Sequence, residues 1–512
     1  MSSSPEATCP LTATTVPDTG APPSATATTG PGGVGSTQDM TGPSGTGRAR
    51  VVSSYDVAVI GGGAGGLAAA RAGARRGLRT VLVSDGALGG DCTFTGCVPS
   101  KALIEAAAKG VSFADAAARM RVVVSQIAAT EDAGVLRREG VEVVEGWVRF
   151  SGARVLCVDG RSIRAKAVVI ATGSRPAVPP IPGLDAVPFL TNETVFDLTE
   201  PPRSIAILGG GAIGCELAQA FGRFGSQVQV VEGEARLLPR EEPEASVVLA
   251  GVFAAEGIGV HLGTSVERVE QATSGGEIRL ERSDGSSICA EALLVAVGRH
   301  PATSGLDAEA GGVELDDRGF VRTDRFLATS ATGVYAVGDV TGRLLLTHAA
   351  DEMGRLAVRN ATARGRFGRR PFDTSSIPWV TFCDPEVARV GLTEAQAVEA
   401  AGRVAFVPMS DVDRAVTAER TEGFVKLIAG PRPILRGTGG GRVLGATIVA
   451  PRAGEMVHEV ALAMRTAMFT GRLAQTVHAY PTWSTALRQA AAQFFMETGG
   501  RRARPAGSPS DR

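Results

Sequence analysis

The stretch Tyr55-Asp56-Val57-Ala58-Val59-Ile60-Gly61-Gly62-Gly63-Ala64-Gly65-Gly66 reads as a buried strand running directly into a glycine-rich turn. A helical Ala/Leu/Arg segment follows and leads to a second strand, Thr80-Val81-Leu82-Val83. Each glycine has a separate task in such a β-α-β unit. Gly61 permits the tight turn, Gly63 lets a pyrophosphate approach the backbone, and Gly66 allows helix and strand to pack closely. A glycine pattern alone is weak evidence; the strand–turn–helix–strand setting turns it into a dinucleotide site.

The arrangement recurs. Ser204-Ile205-Ala206-Ile207-Leu208 precedes Gly209-Gly210-Gly211-Ala212-Ile213-Gly214, and Gln227–Val231 forms the next strand, ending at Glu232. Here Gly209, Gly211 and Gly214 take the three glycine roles. Glu232 lies 23 residues after Gly209, where a carboxylate bonds both ribose hydroxyls of an adenosine. Its charge, with Glu234 close behind, repels a 2′-phosphate, so the second site favours NADH over NADPH. At the first site the same offset falls on Ser84, with Asp85 one residue further. Either Asp85 turns in at the strand end or Ser84 makes a weaker contact.

Shortly after the first unit comes Gly89-Gly90-Asp91-Cys92-Thr93-Phe94-Thr95-Gly96-Cys97-Val98-Pro99-Ser100-Lys101. Residues i and i+5 of a straight helix have α-carbons roughly 8–9 Å apart, too far for a disulfide, which spans about 4.4–6.8 Å. Cys92 and Cys97 can bridge only if the helix is distorted between them. Gly96 gives the backbone freedom and Pro99 removes an amide, so distortion is available. A cysteine at a helix N-terminus also has a lowered thiol pKa. Two free cysteines are the alternative reading.

The chain is 512 residues long, enough for several domains. Its 52 basic and 53 acidic residues offer no electrostatic case for nucleic acid or an anionic membrane. It has no apolar run of about 18 residues, so no membrane span is expected. Seven scattered cysteines do not make an extracellular disulfide scaffold. Residues 1–54, rich in Thr, Ser, Pro, Gly and Ala, read as a disordered extension with neither a secretory nor a mitochondrial signal, which points to the cytoplasm. Residues 499–512 read as a second disordered tail.

From about residue 55 to 498 the chain resembles the pyridine nucleotide-disulfide oxidoreductases of the lipoamide dehydrogenase, glutathione reductase and mercuric reductase group. The motifs stand in family order: the first fingerprint, Cys92–Lys101, Ala171-Thr172-Gly173-Ser174-Arg175-Pro176, the second fingerprint, Val297-Gly298-Arg299, and Gly333–Val340 with Asp339. The resemblance implies two Rossmann-like α/β domains and a C-terminal α+β dimerisation domain. The FAD domain would span 55–183 and 296–372, the NAD domain 184–295, and the dimerisation domain 373–498. It implies FAD with its diphosphate at Gly61–Gly66, contacts from Thr172, Gly173 and Gly298, and Asp339 on the ribityl chain. Leu346-Thr347-His348-Ala349 would open a helix whose positive end faces the flavin. Lys101, one of only four lysines, would sit near the flavin paired with Glu216. Cys92–Cys97 would be a redox-active disulfide fed by reduced nicotinamide through FAD, with Cys97 next to the flavin and Cys92 facing the acceptor.

The C-terminal segment departs from this family. Lipoamide dehydrogenases and glutathione reductases carry His-Pro-Thr followed by a glutamate, an acid–base dyad supplied by the partner subunit. This chain reads His478-Ala479-Tyr480-Pro481-Thr482-Trp483-Ser484-Thr485, with Tyr480 in the place of the base and Thr485 in that of the carboxylate. A tyrosine with pKa near 10 is only about 0.1% ionised at neutral pH and is a poor base. His478, two residues earlier, reads as structural or as a displaced base. Mercuric reductases have a tyrosine near this place and a C-terminal cysteine pair; this chain has no cysteine after Cys383. The resulting expectation is a homodimeric, mercuric-reductase-like enzyme with composite sites, acting on a disulfide, thiol-reactive or metal-ion acceptor. No residue is assigned to a resident metal. Dihydrolipoamide dehydrogenase and a non-catalytic flavin-bound redox sensor are the competing readings.

Overall fold

A computed structural model describes residues 53–271, 276–431 and 440–509. The expected disordered extension lies outside the described residues, apart from Ser53 and Ser54, which already belong to the first strand. β1 (Ser53–Ile60), β2 (Thr80–Ser84) and β3 (Val141–Glu145) are parallel neighbours, and β6 (Arg161–Ile170) lies parallel on the other side of β1. β4 (Val148–Gly152) and β5 (Val155–Val158) extend this sheet antiparallel beyond β6. Val57–Ile60 and all of β2 are buried, as strands covered on both faces must be.

After β6 the chain leaves this sheet through β7 (Ser174–Pro176) and builds a second one. Its order is β10-β9-β8-β14, all parallel, from β8 (Ser204–Leu208), β9 (Gln227–Glu232), β10 (Gly259–Leu262) and β14 (Ala292–Val295). The intervening β11 (Val266–Gln271), β12 (Ile278–Arg282) and β13 (Ser287–Ala290) form a separate antiparallel sheet. β15 (Arg299–Pro301) returns beside β7, and β16 (Val334–Ala336) rejoins the first sheet next to β6. The third sheet is antiparallel: β17 (Trp379–Thr381), β18 (Glu386–Gly391), β21 (Val443–Ala450), β20 (Phe424–Ala429) and β19 (Arg403–Pro408), with β22 (Arg504–Pro505) at its edge.

That last strand corrects the expected disordered tail. Ala503 is buried, Arg504 pairs with Glu394, and Arg501 pairs with Asp411 at 2.7 Å, so the chain is docked well past residue 499. Polar composition concealed this because the contacts are ion pairs and backbone bonds rather than an apolar stripe.

The helices of the first two units include α1 (Ala64–Ala74), α2 (Gly90–Phe94), α3 (Cys97–Ala108), α4 (Phe113–Ala128), α5 (Ala133–Arg138), α6 (Ala212–Arg223), α7 (Pro243–Ala255) and α8 (Thr347–Ala361). α1 and α8 pack at backbone distance: a Cβ on Gly354 would lie 2.3 Å from the Gly65 carbonyl oxygen. Among the described residues, no helix is long and apolar enough to cross a membrane.

Candidate active site: two glycine cradles around a cysteine pair

The two fingerprints fold alike. Gly61 and Gly209 have φ of +104° and +108°, and a Cβ on either would strike the carbonyl oxygen of Ala171 or Ala296 at 2.4 and 2.5 Å. A Cβ on Gly66 or Gly214 would lie 1.9 Å from the carbonyl oxygen of Gly61 or Gly209, so only glycine lets helix and strand meet. Gly63 and Gly211 face open space and begin α1 and α6 without a side-chain cap. Each helix therefore offers free N–H groups and the positive end of its dipole to a diphosphate.

The residues around these cradles fit the two nucleotides. Glu232 accepts hydrogen bonds from the amides of Gly210 (2.6 Å) and Glu234 (2.8 Å), which fixes its carboxylate at the strand end. In the first unit Ser84 is buried with its hydroxyl turned to the Gly86 carbonyl (3.1 Å), while Asp85 is exposed at the rim of the cleft. A cleft of about 960 Å³ runs from Gly61 and Gly63 past Thr172, Gly173 and Asp339 to the two cysteines. The Thr172 hydroxyl is buried there with no hydrogen-bond partner among the described residues, and Gly173 has a φ of +76°. An orphaned hydroxyl and an open cradle in one cleft are what a bound dinucleotide would satisfy. Gly298 has a φ of +144°, in the segment between β14 and β15. Asp339 accepts a hydrogen bond from Ser174 (2.7 Å); burial raises its carboxyl above the usual range, against the pull of Ser174 and Arg299.

At the far end, the helix breaks between the cysteines. α2 stops at Phe94, Gly96 turns to φ −131° and ψ −117°, and Cys97 opens α3. A Cβ on Gly96 would lie 2.8 Å from the Asp91 carbonyl oxygen, so the turn requires glycine. Both cysteines are thiols in this structure, hydrogen-bonded to one another. That bond from Cys92, aided by the Thr347 hydroxyl 3.5 Å away and the Lys101 charge, lowers Cys97 to about 6 against the cost of burial. Cys92 moves the opposite way, first because it donates that bond and then because it is buried. Lys101 Nζ lies 2.7 Å from Glu216 Oε2, a carboxylate that is almost fully buried.

Residues 55–354 match the family model for pyridine nucleotide-disulphide oxidoreductases, and residues 377–491 match that family's dimerisation domain. The chain belongs to this family.

A dihydrolipoyl dehydrogenase from Thermus scotoductus is 35% identical over 86% of this chain and 97% of its own. A mercuric reductase from Streptomyces lividans is 37% identical over 87% and 97%. A solved Cu(II) complex of the HOCl-induced flavoprotein disulfide reductase RclA from Escherichia coli superposes with a TM-score of 0.79 at 29% identity, over 86% of this chain and 99% of that one. The protein is thus a flavin-dependent oxidoreductase that works with a nicotinamide nucleotide.

In this oxidoreductase the cleft gathers Cys92, Cys97, Lys101 and Glu216, but not His478 or Tyr480. His478 is buried against the helix Ala453–Arg465, its Nε2 3.2 Å from Glu459 and its Nδ1 3.0 Å from the Thr476 carbonyl. The ring nitrogens face Glu459 and the Thr476 carbonyl, contacts that tie the imidazole to its own loop and the neighbouring helix. Tyr480 is 74% exposed, with its hydroxyl at the Asp413 carboxylate, which raises its pKa. Thr485 donates its hydroxyl to the Thr482 carbonyl. His348 likewise turns away from the cleft, its Nε2 bonded to the Pro378 carbonyl at 2.6 Å. Neither it nor buried Ala349 lines the cleft; the side chain that does is Thr347.

Sequence reasoning missed the network that braces the cysteines. Arg299 pairs with Asp91, the residue before Cys92, and donates to Ser174 at 2.7 Å. Asn192 bonds Asp91 (3.2 Å) and the Thr95 carbonyl (3.1 Å), so two distant segments clamp α2. The family arginine was visible in Val297-Gly298-Arg299; its partner was not.

Proposed function

We propose that this oxidoreductase takes electrons from NADH and delivers them, through Cys92 and Cys97, to a thiol-reactive or soft metal-ion acceptor. One observation carries the choice of acceptor. The loop where disulfide-reducing relatives keep a His–Glu dyad presents an exposed tyrosine whose hydroxyl is at Asp413, a threonine bonded to the Thr482 carbonyl, and a histidine whose ring faces Glu459 and the Thr476 carbonyl. A disulfide substrate needs a proton delivered to its leaving thiolate; a soft metal ion bound by thiolates needs none. The Streptomyces relative is a mercuric reductase, and the RclA neighbour was solved with Cu(II), which supports the same reading.

FAD, when bound, supplies the two-electron exchange between nicotinamide and the cysteines. The chain's own groups do the rest. At neutral pH Cys97 carries the negative charge, held by the Cys92 thiol, the Thr347 hydroxyl and the Lys101 ammonium. When this thiol–thiolate pair closes to a disulfide it releases one proton, from Cys92, and two electrons, enough to reduce one mercuric ion to the metal or two cupric ions to cuprous. Val477 (91% exposed) and Tyr480 on the dimerisation domain would reach the partner subunit's cleft, completing a composite site.

The test is NADH oxidation with mercuric ion, cupric ion, quinones, lipoamide and glutathione disulfide in turn. Metal-dependent turnover that greatly exceeds lipoamide turnover is expected; efficient NAD-linked oxidation of dihydrolipoamide would reverse the assignment in favour of the Thermus-type activity.

Nucleotide choice follows from two fixed side chains. Glu232, held at the strand end by the Gly210 amide, would repel a 2′-phosphate, and Arg236, the first arginine beyond it, is spent on the carbonyls of Pro239 (2.8 Å) and Glu241 (3.3 Å). NADH is therefore expected to exceed NADPH in kcat/KM by at least about tenfold, a difference of roughly 1.4 kcal/mol. Glu232→Ala should narrow the ratio by weakening NADH. Equal use of both nucleotides by the parent enzyme would refute this preference.

A further inference from the structure

We propose that Phe382, contributed by the dimerisation domain, is a positioning residue that holds the Lys101 ammonium beside Cys97. Lys101 Nζ lies 4.6 Å from the centroid of the Phe382 ring and 2.7 Å from Glu216 Oε2, so the cation is held between an aromatic face and a carboxylate. An ammonium within about 6 Å of a ring centroid is attracted by the ring's electron-rich face. The same residue fixes the carboxylate too: its backbone N–H donates to Glu216 Oε1 at 2.8 Å. One residue of the third domain thus contacts both members of the pair.

Phe382 is itself clasped from α6. Glu216, Gln219 and Arg223 lie on one face of that helix, at helical spacing. Gln219 exchanges two backbone bonds with Asp384, accepting from its amide at 2.7 Å and donating to its carbonyl at 2.8 Å. Arg223 bonds the Asp384 carboxylate at 3.0 Å, and Arg420 pairs with its other oxygen. The segment Phe382–Asp384 is thereby tied to the helix that starts at the second glycine cradle. Its position ties together the nicotinamide unit, Lys101 and the cysteine pair.

The consequence is read at Cys97, which faces Cys92 from α2, Lys101 from its own helix, Glu216 from α6 and Thr347 from α8. Lys101 lowers the Cys97 pKa and Glu216 opposes it, so the thiol responds to where this pair sits. The inference rests on Cys97 being the charged thiol of the proposed function, and the experiment separates the two.

The reduced holoenzyme is alkylated with iodoacetamide at a series of pH values, and Cys97 modification is followed by peptide mass spectrometry. In the parent protein the midpoint is expected near 6. Phe382→Leu should move it up by about half a unit, roughly a threefold loss of thiolate reactivity on the acid side. Phe382→Tyr, which keeps the aromatic face, should restore the parent profile. Gln219→Leu, which loosens the clasp without touching Lys101, should shift the midpoint in the same direction by less, and it carries the test if Phe382→Leu does not fold. A Phe382→Leu or Gln219→Leu profile superimposed on the parent's would overturn the positioning role. A parent midpoint near the ordinary value of 9 would instead overturn the assignment of Cys97 as the charged thiol.

Discussion

Cys97→Ser is expected to lower NADH-dependent reduction of the preferred acceptor by on the order of a thousandfold or more, while FAD stays bound. The size follows from the chemistry of the position. Cys97 is the one thiol of the pair held near 6, so at neutral pH it is mostly ionised; a serine hydroxyl there is not. Cys92 cannot take over, because it is the donor in the pair's hydrogen bond and its own pKa is pushed up. Neither glycine cradle contains Cys97, so nucleotide binding should survive. Steady-state turnover, compared with flavin content by absorbance, checks both halves. The parent enzyme adds a pH signature: thiolate reactivity should be constant above about 6 and fall about tenfold per unit below it. Turnover unaffected by Cys97→Ser would mean that electrons bypass the cysteine pair.

Lys426→Met is the second large effect, and it is one of stability. Lys426 is 1% exposed in β20, with Glu242 at 3.1 Å, Glu394 at 2.9 Å and Glu244 at 2.7 Å. Glu242 and Glu244 stand at the start of α7 in the second unit, so this cluster joins it to the dimerisation domain. Taking ions out of water is costly, and the intact cluster need not be worth much against an apolar replacement. Removing only the cation is different, because it strands the Glu242 carboxylate, 3% exposed, without its cation. A loss of about 3–5 kcal/mol is expected, read as a lower denaturant midpoint. Adding Glu242→Gln to the variant should recover part of it, since the two sites are coupled. A loss below about 1 kcal/mol would show that water reaches the cluster.

Acid acts on the same cluster. Burial alone would raise Glu394, but hydrogen bonds and charge from Arg504 and Lys426 hold it down to about 2. Its folded pKa is depressed, so its contribution is complete above the ordinary value of 4.5 and is lost as pH falls from there toward 2.

The parts of this site that were legible in the sequence share one property. Gly61, Gly66, Gly209 and Gly214 of the two cradles, and Gly96 between the cysteines, are each required by backbone atoms only a few residues away or by the neighbouring strand end. Such steric demands leave a local pattern. The Cys92–Lys101 segment is legible for the same reason, since the break at Gly96 is written into the segment itself. The relocated partners were not legible. Glu459, which engages His478, lies on a helix about twenty residues earlier; Phe382 meets Lys101 across a domain boundary, Asp91 meets Arg299 from about two hundred residues away, and β22 is held by Glu394 from more than a hundred residues earlier.

The sequence by itself determined the two nucleotide cradles, the cysteine pair and the family, because these depend on which residues tolerate close backbone contact over short spans. Only the tertiary structure decided which cysteine carries the charge, that His478 is engaged by Glu459 and Tyr480 by Asp413, and that Phe382 and the Lys426 cluster join the three domains. Those outcomes depend on burial and on the distance between charges, and both exist only once remote segments are packed together.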